Sequence, residues 1–216
     1  MLMMPANNCH HLVHYWAGKY GYLGHLYSPG GQRGPFAHLP YALDNGAFPC
    51  WIKEDPWDEA AFRELLEWAA AAEIPPMWVA VPDIVADAQA TLANWPIWSQ
   101  VVRDYGFKAA LVVQDGMTPE DVRATEPDAV FIGGTYDWKW LWLWRFCDSH
   151  EVVHVGRVNG YRQALQAYRA GAASCDGTGF FRGNKVQLDG LERVLREQAE
   201  GTLVGNDPQQ KKLWSV

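Results

Sequence analysis

Several short apolar runs in this sequence end in side chains able to do chemistry. YAL at 41–43 runs into Asp44, MWVAV at 77–81 into Pro82 and Asp83, AALVV at 109–113 into Gln114, AVFI at 129–132 into Gly133 and Gly134, and AASC at 172–175 into Asp176. Paired carboxylates can divide proton transfer and charge stabilisation between them. The amide of Gln114 offers both a donor and an acceptor to a polar ring edge. Gly133 and Gly134 let the backbone approach a flat ligand, and Phe48, close behind Asp44, can wall one. In VVHVGRVN, His154, Arg157 and Asn159 lie beside Gly156, which supplies a bend or an access point. Arg182 and Lys185, just beyond Asp176, can contact phosphate or simply be solvated. A single Asp after a strand is more often a turn or helix cap. Three of them, with a Gln and a glycine pair, weaken that reading.

Other chemistries find little support. His10, His11 and His14 sit together in HHLVH, without the glutamate of a metalloprotease helix. The four cysteines, Cys9, Cys50, Cys147 and Cys175, form no CxxC pair, which argues against a zinc site and a disulfide framework. No dinucleotide-binding glycine motif and no phosphate loop are present. The sequence therefore predicts neither metal nor cofactor. A net charge of −7 does not favour a generic nucleic-acid binder, whose affinity rests on cations facing phosphate. The 12 tryptophans fit core and helix-to-sheet contacts, with one or two available to stack on a base.

The elements that must position these groups alternate as β/α units. A helix is predicted from about Trp57 to Ala72, with Phe62, Leu65, Leu66 and Ala69 on one face, stopped by Pro75 and Pro76. Ala88, Leu92 and Trp95 begin another, which Pro96 disturbs or breaks. A further strand is predicted at 151–155, a helix through Tyr161, Ala164, Leu165 and Tyr168, and a last helix from about Leu188 to Glu197. HLVHYW and GYLGHLY can each supply an additional strand, bringing six to eight. At 216 residues the chain reads as a single domain, 1–216, with a frayed tail from about 201. The predicted fold class is α/β, a compact TIM-like (β/α)8 barrel, with an open doubly wound sheet as the rival. In both, the carboxyl ends of the strands form the common site, so Asp44 and Asp176 can meet there. No apolar run approaches the roughly 20 residues of a membrane span. The opening residues do not read as a secretory signal. A cytoplasmic location is expected.

On these residues the chain, from about Tyr41 to Gly183, resembles the tRNA-guanine transglycosylase superfamily, and more closely its DNA-modifying deazaguanine branch found in phages and bacterial modification clusters. LDNGAF resembles the family segment carrying the general acid/base, which implies that role for Asp44; Asn45 and Ala47 depart from its pattern. SCDG matches the region of the nucleophile, implying Asp176. The resemblance implies base binding by Asp83, Gln114, Gly133 and Gly134, with Phe48, His154 and Gly156 near the pocket. The zinc subdomain of the tRNA enzymes is missing. The implied activity is a pentosyltransferase, exchanging guanine in DNA for a 7-deazaguanine base such as preQ0 by double displacement. Its partners would be DNA, single-stranded or with the target nucleotide flipped out, and a free 7-deazaguanine, with a homodimer or a modification-complex partner possible. The alternatives are an N-glycosidic hydrolase, a tRNA-guanine transglycosylase, and a noncatalytic nucleic-acid-binding partner.

Overall fold

The structure, a computed structural model, describes residues 1–7, 10–31, 34–179 and 184–203. Eight parallel strands form one sheet: β1 (Leu2–Met4), β2 (His25–Tyr27), β3 (Tyr41–Leu43), β4 (Val79–Ala80), β5 (Ala109–Val113), β6 (Ala129–Ile132), β7 (Val153–Val155) and β8 (Ser174–Asp176). Strands β2 to β8 pair in sequence order, and β1 pairs with β8 in the register Leu2 with Ser174, Met3 with Cys175 and Met4 with Asp176. Single parallel bridges, Met3 with Leu23 and Ala6 with Leu26, join β1 to β2 and close the ring. The fold is a (β/α)8 barrel.

Around it stand α1 (His11–Tyr20), α2 (Ala47–Lys53), α3 (Glu59–Ala70), α4 (Ala88–Asp104), α5 (Pro119–Thr125), α6 (Tyr136–Ser149), α7 (Tyr161–Ala170) and α8 (Lys185–Ala199). Helix α3 starts at Asp58, whose side chain accepts from the Ala61 N–H, and buries Phe62, Leu65, Leu66 and Ala69. Full burial of a side chain such as Phe62 contributes about 1.5–3 kcal/mol. HLVHYW, read above as a possible strand, is instead most of α1. Val13 and Trp16 give it one buried face at helical spacing, and His10 caps it. GYLGHLY does supply β2. Pro96 does not break α4: it lies on the exposed side, while Thr91, Trp95, Ser99 and Val102 keep the helix seated. Residues 201–203, expected to belong to the frayed tail, are held in place: the Thr202 and Leu203 N–H groups both donate to the Glu197 carbonyl at the end of α8. The chain beyond Leu203 lies outside the described residues.

Strand alternation sorts two cores. Met3, Tyr41, Leu43, Val79, Leu111, Val113, Val130, Ile132, Val153 and Val155 face the helices. Met4, Leu26, Ala42, Trp78, Ala80, Ala110, Val112 and Ala129 fill the barrel. The even-numbered residues of β7 and β8 break this apolar pattern: His154, Ser174 and Asp176 are buried polar groups. No group of His, Cys, Asp or Glu among the described residues is arranged to hold a metal ion, and no described helix is long and apolar enough to cross a membrane.

Candidate active site

A cavity of about 650 Å³ opens at the carboxyl ends of the strands, and every strand or the loop after it contributes to its wall. Of the residues expected there, Asp44, Asp83, Gln114, Gly133, Gly134, Phe48 and Asp176 line it. The walls between them are apolar, from Leu26, Val112 and Phe131.

Asp44 follows β3 and is half-buried. Its carboxylate accepts from the Asn45 N–H at 2.9 Å. Burial raises its pKa to about 7; the negative charges of Asp176 and Asp83 add to this, and the backbone N–H groups of Asn45 and Gly46 oppose it. A carboxyl group poised there can both take and give a proton near neutrality.

Asp83 is in a different situation. One oxygen accepts from Asn45 Nδ2 at 2.8 Å and the other from Gln114 Nε2 at 2.6 Å. Each amide is itself anchored: Asn45 Nδ2 also donates to the Val81 carbonyl, Asn45 Oδ1 accepts from the Ala47 N–H, and Gln114 Oε1 accepts from the Ala86 N–H. Asn45 thereby uses both its N–H bonds within the protein, whereas Gln114 keeps one for a ligand. Burial raises the Asp83 carboxyl to about 6, with the Asn45 and Gln114 amides and the Arg157 charge pulling the other way. The pair therefore meets a ligand as a preassembled, oriented edge.

Asp176 ends β8. Its Oδ1 accepts from the Arg157 backbone N–H at 3.0 Å and lies 3.1 Å from His154 Nε2. His154 Nδ1 in turn lies 2.8 Å from Ser174 Oγ. The column Ser174, His154, Asp176 runs up the inside of the barrel to the cavity. His154, fully buried, stands behind Asp176 rather than in the cavity wall. Gly156 also lies behind the wall; a Cβ there would meet Phe131 Cε1 at 2.6 Å. Gly134 lies on the wall with φ +64°, and a Cβ there would meet the Trp138 ring at 2.5 Å. Lys185 is exposed and pairs with Asp189 at 2.5 Å within α8, away from the cavity. Arg182 lies outside the described residues.

Asn45 and Arg157 were not predicted as site residues. Arg157 holds a left-handed φ of 57° and stacks its guanidinium 4.4 Å from the centre of the Phe48 ring. It also donates to the Gly134 carbonyl, so it joins three loops over the cavity and brings a positive charge among the acids. Position offered the only signals: Asn45 follows the first acid directly, and Arg157 lies just beyond the strand that carries His154.

No protein-family model matches the sequence, and no curated protein matches it. Among solved structures, the fold is similar to tryptophan synthase from M. tuberculosis, both in its aminoacrylate- and BRD0059-bound form and in its open form with BRD0059 bound. In each case the TM-score is 0.54 at 13% sequence identity, over 94% of this chain and 93% of the other. These findings correct the family reading of the sequence. The barrel aligns with tryptophan synthase, so membership of the tRNA-guanine transglycosylase superfamily or its DNA-modifying branch is withdrawn. With it go guanine exchange for a 7-deazaguanine in DNA and the pentosyltransferase class. The physical reason is that the motifs behind the resemblance are acids, amides and glycines at strand ends, where barrels of many unrelated activities carry their site residues. At this identity the likeness to tryptophan synthase establishes the fold alone.

Proposed function

We propose that the barrel mouth is an acid–base active site of the lyase or aldolase kind, acting on a small polar molecule. Asp44 exchanges the proton with substrate, Asp176 is the fixed negative partner, and the Asp83 and Gln114 edge orients the ligand. The carrying observation is that Asp44 is raised to about 7 while facing the same cavity as Asp176. A carboxylate that removes a proton from a substrate hydroxyl or carbon leaves an electron pair to cleave or shift the adjacent bond. The same group, now protonated, can return the proton to the departing fragment. Arg157 is placed to receive negative charge developing on a substrate oxygen. The cavity volume falls within the range of small-molecule sites. The likeness to tryptophan synthase supports this reading only as an analogy of architecture.

The test is to incubate the protein in deuterated water with panels of small hydroxyketones, hydroxy acids, amines and amides, and to follow cleavage and deuterium incorporation by mass spectrometry. A compound turned over by the native protein should be processed about 10² to 10⁴ times more slowly by Asp44→Asn. Equal turnover by a folded Asp44→Asn protein would refute the assignment.

A further inference from the structure

Lys139 lies in α6 with 1% of its surface exposed and lines no part of the cavity. An ammonium group in that layer is costly unless it is compensated. No carboxylate forms a direct ion pair with it among the described residues. Its Nζ donates instead to the Gly156 carbonyl at 2.5 Å. That carbonyl and the Arg157 N–H are the two ends of one planar peptide group, and the Arg157 N–H donates to Asp176 Oδ1 at 3.0 Å. The cation therefore sits at the negative end of a peptide dipole and the carboxylate at its positive end. Each charge polarises the peptide in the sense that strengthens the other hydrogen bond.

We propose that Lys139 is a positioning residue of the site, acting on Asp176 through the Gly156–Arg157 peptide as an ion pair bridged by one amide. The coupling rests on geometry alone; its bearing on catalysis rests on the reading of Asp176 given above. The peptide is well suited to the task. The Gly156 N–H donates to the Ile132 carbonyl, the Arg157 guanidinium is tied to the Gly134 carbonyl, and Phe131 closes the space beside Gly156. A neutral hydrogen-bond donor in place of Lys139 would satisfy the Gly156 oxygen without this polarisation. The charged and titratable groups acting on Lys139 are Arg157, which opposes its protonation, and Asp176 and Cys175, which favour it; burial outweighs them and lowers it to about 8. Those facing Asp176 are His154, Arg157 and Asp44.

Nuclear magnetic resonance of the ligand-free, full-length protein can read this coupling directly. Between pH 6.5 and 10.5, the Arg157 amide resonance should pass through an inflection near pH 8 that coincides with titration of the Lys139 side-chain nitrogen. In Lys139→Met the inflection should vanish, and in Lys139→Arg the amide should stay at its low-pH position. Asp176→Asn should lower the Lys139 midpoint by roughly half a pH unit or more, because it removes the favourable negative charge. An Arg157 amide with no inflection in the native protein overturns the proposal without need of any variant. So does an inflection that persists in Lys139→Met, or a Lys139 midpoint unmoved by Asp176→Asn. Failure here leaves the Asp44 turnover experiment untouched, and failure there leaves these resonances as predicted.

Discussion

Replacing Asp44 by Asn should make the protein more stable at pH 8 and change it far less at pH 4. The folded chain holds the Asp44 proton more tightly than the unfolded chain does, with a midpoint raised from 3.8 to about 7. The folded state therefore binds more protons across that interval, and its stability falls as pH rises through it. Well below 3.8 both states are protonated and the penalty vanishes. A displacement of that size corresponds to about 4 kcal/mol once the group is fully ionised. Asp44 is only half-buried, so water in the cavity screens part of the field, and a gain of about 2 kcal/mol is expected. The substitution keeps the hydrogen bond from the Asn45 N–H, since the amide oxygen of Asn can still accept it. Urea unfolding followed by tryptophan fluorescence at pH 4 and pH 8 measures the difference, with denaturant slopes compared to confirm that the same surface unfolds. A variant no more stable than the native protein at pH 8, or one equally stabilised at both pH values, would refute the claim that desolvated charge at Asp44 is held against folding.

Two further substitutions probe the rest of the wall. Asn45→Ala removes a charge-assisted bond to Asp83 and bonds to Val81 and Ala47, and should cost about 3 to 5 kcal/mol at neutral pH. It should also move the Asp83 carboxyl above its present value of about 6, readable from the carboxyl carbon resonance; an unmoved resonance would remove Asn45 from the electrostatics of the site. Gly134→Ala combines an unfavourable positive φ with a collision at the Trp138 ring and should destabilise by about 2 kcal/mol or more. Near-ultraviolet circular dichroism should report the displaced indole.

The parts of this barrel read correctly from sequence are those whose signal is local. Strands β3, β5 and β6 were placed at their observed limits because each is a short apolar run closed by a polar or glycine residue. Helix α3 has an Asp cap and an unbroken apolar stripe. The mouth residues Asp44, Asp83, Gln114 and Asp176 were legible for the same reason: each directly follows or ends such a run, or sits one proline beyond it. Nonlocal features were not legible. Leu2–Met4 is a strand only because β8 and β2 lie on either side of it. In α6 the alternation Trp138, Trp140, Trp142, Trp144 has the period of a strand, while the buried positions Lys139, Leu143 and Phe146 have that of a helix. Those buried positions decide the outcome. Lys139 was visible only as a cation set in an aromatic run, and its partner is a backbone carbonyl that no side-chain pattern announces. The transglycosylase reading failed at a different level, since it took polar residues at strand ends, which unrelated barrels share, as marks of descent.

The register of β1 against β8 also governs how the molecule is assembled. Leu2–Met4 is translated well before its partner Ser174–Asp176. This strand must wait, with one edge unsatisfied, until every other strand of the ring has been made. Met4 then pairs with Asp176 itself, so the contact that shuts the ring also installs the carboxylate in the cavity. A chain lacking that last strand would have an open sheet edge and an incomplete set of acids together, so ring closure and completion of the cavity wall are one event.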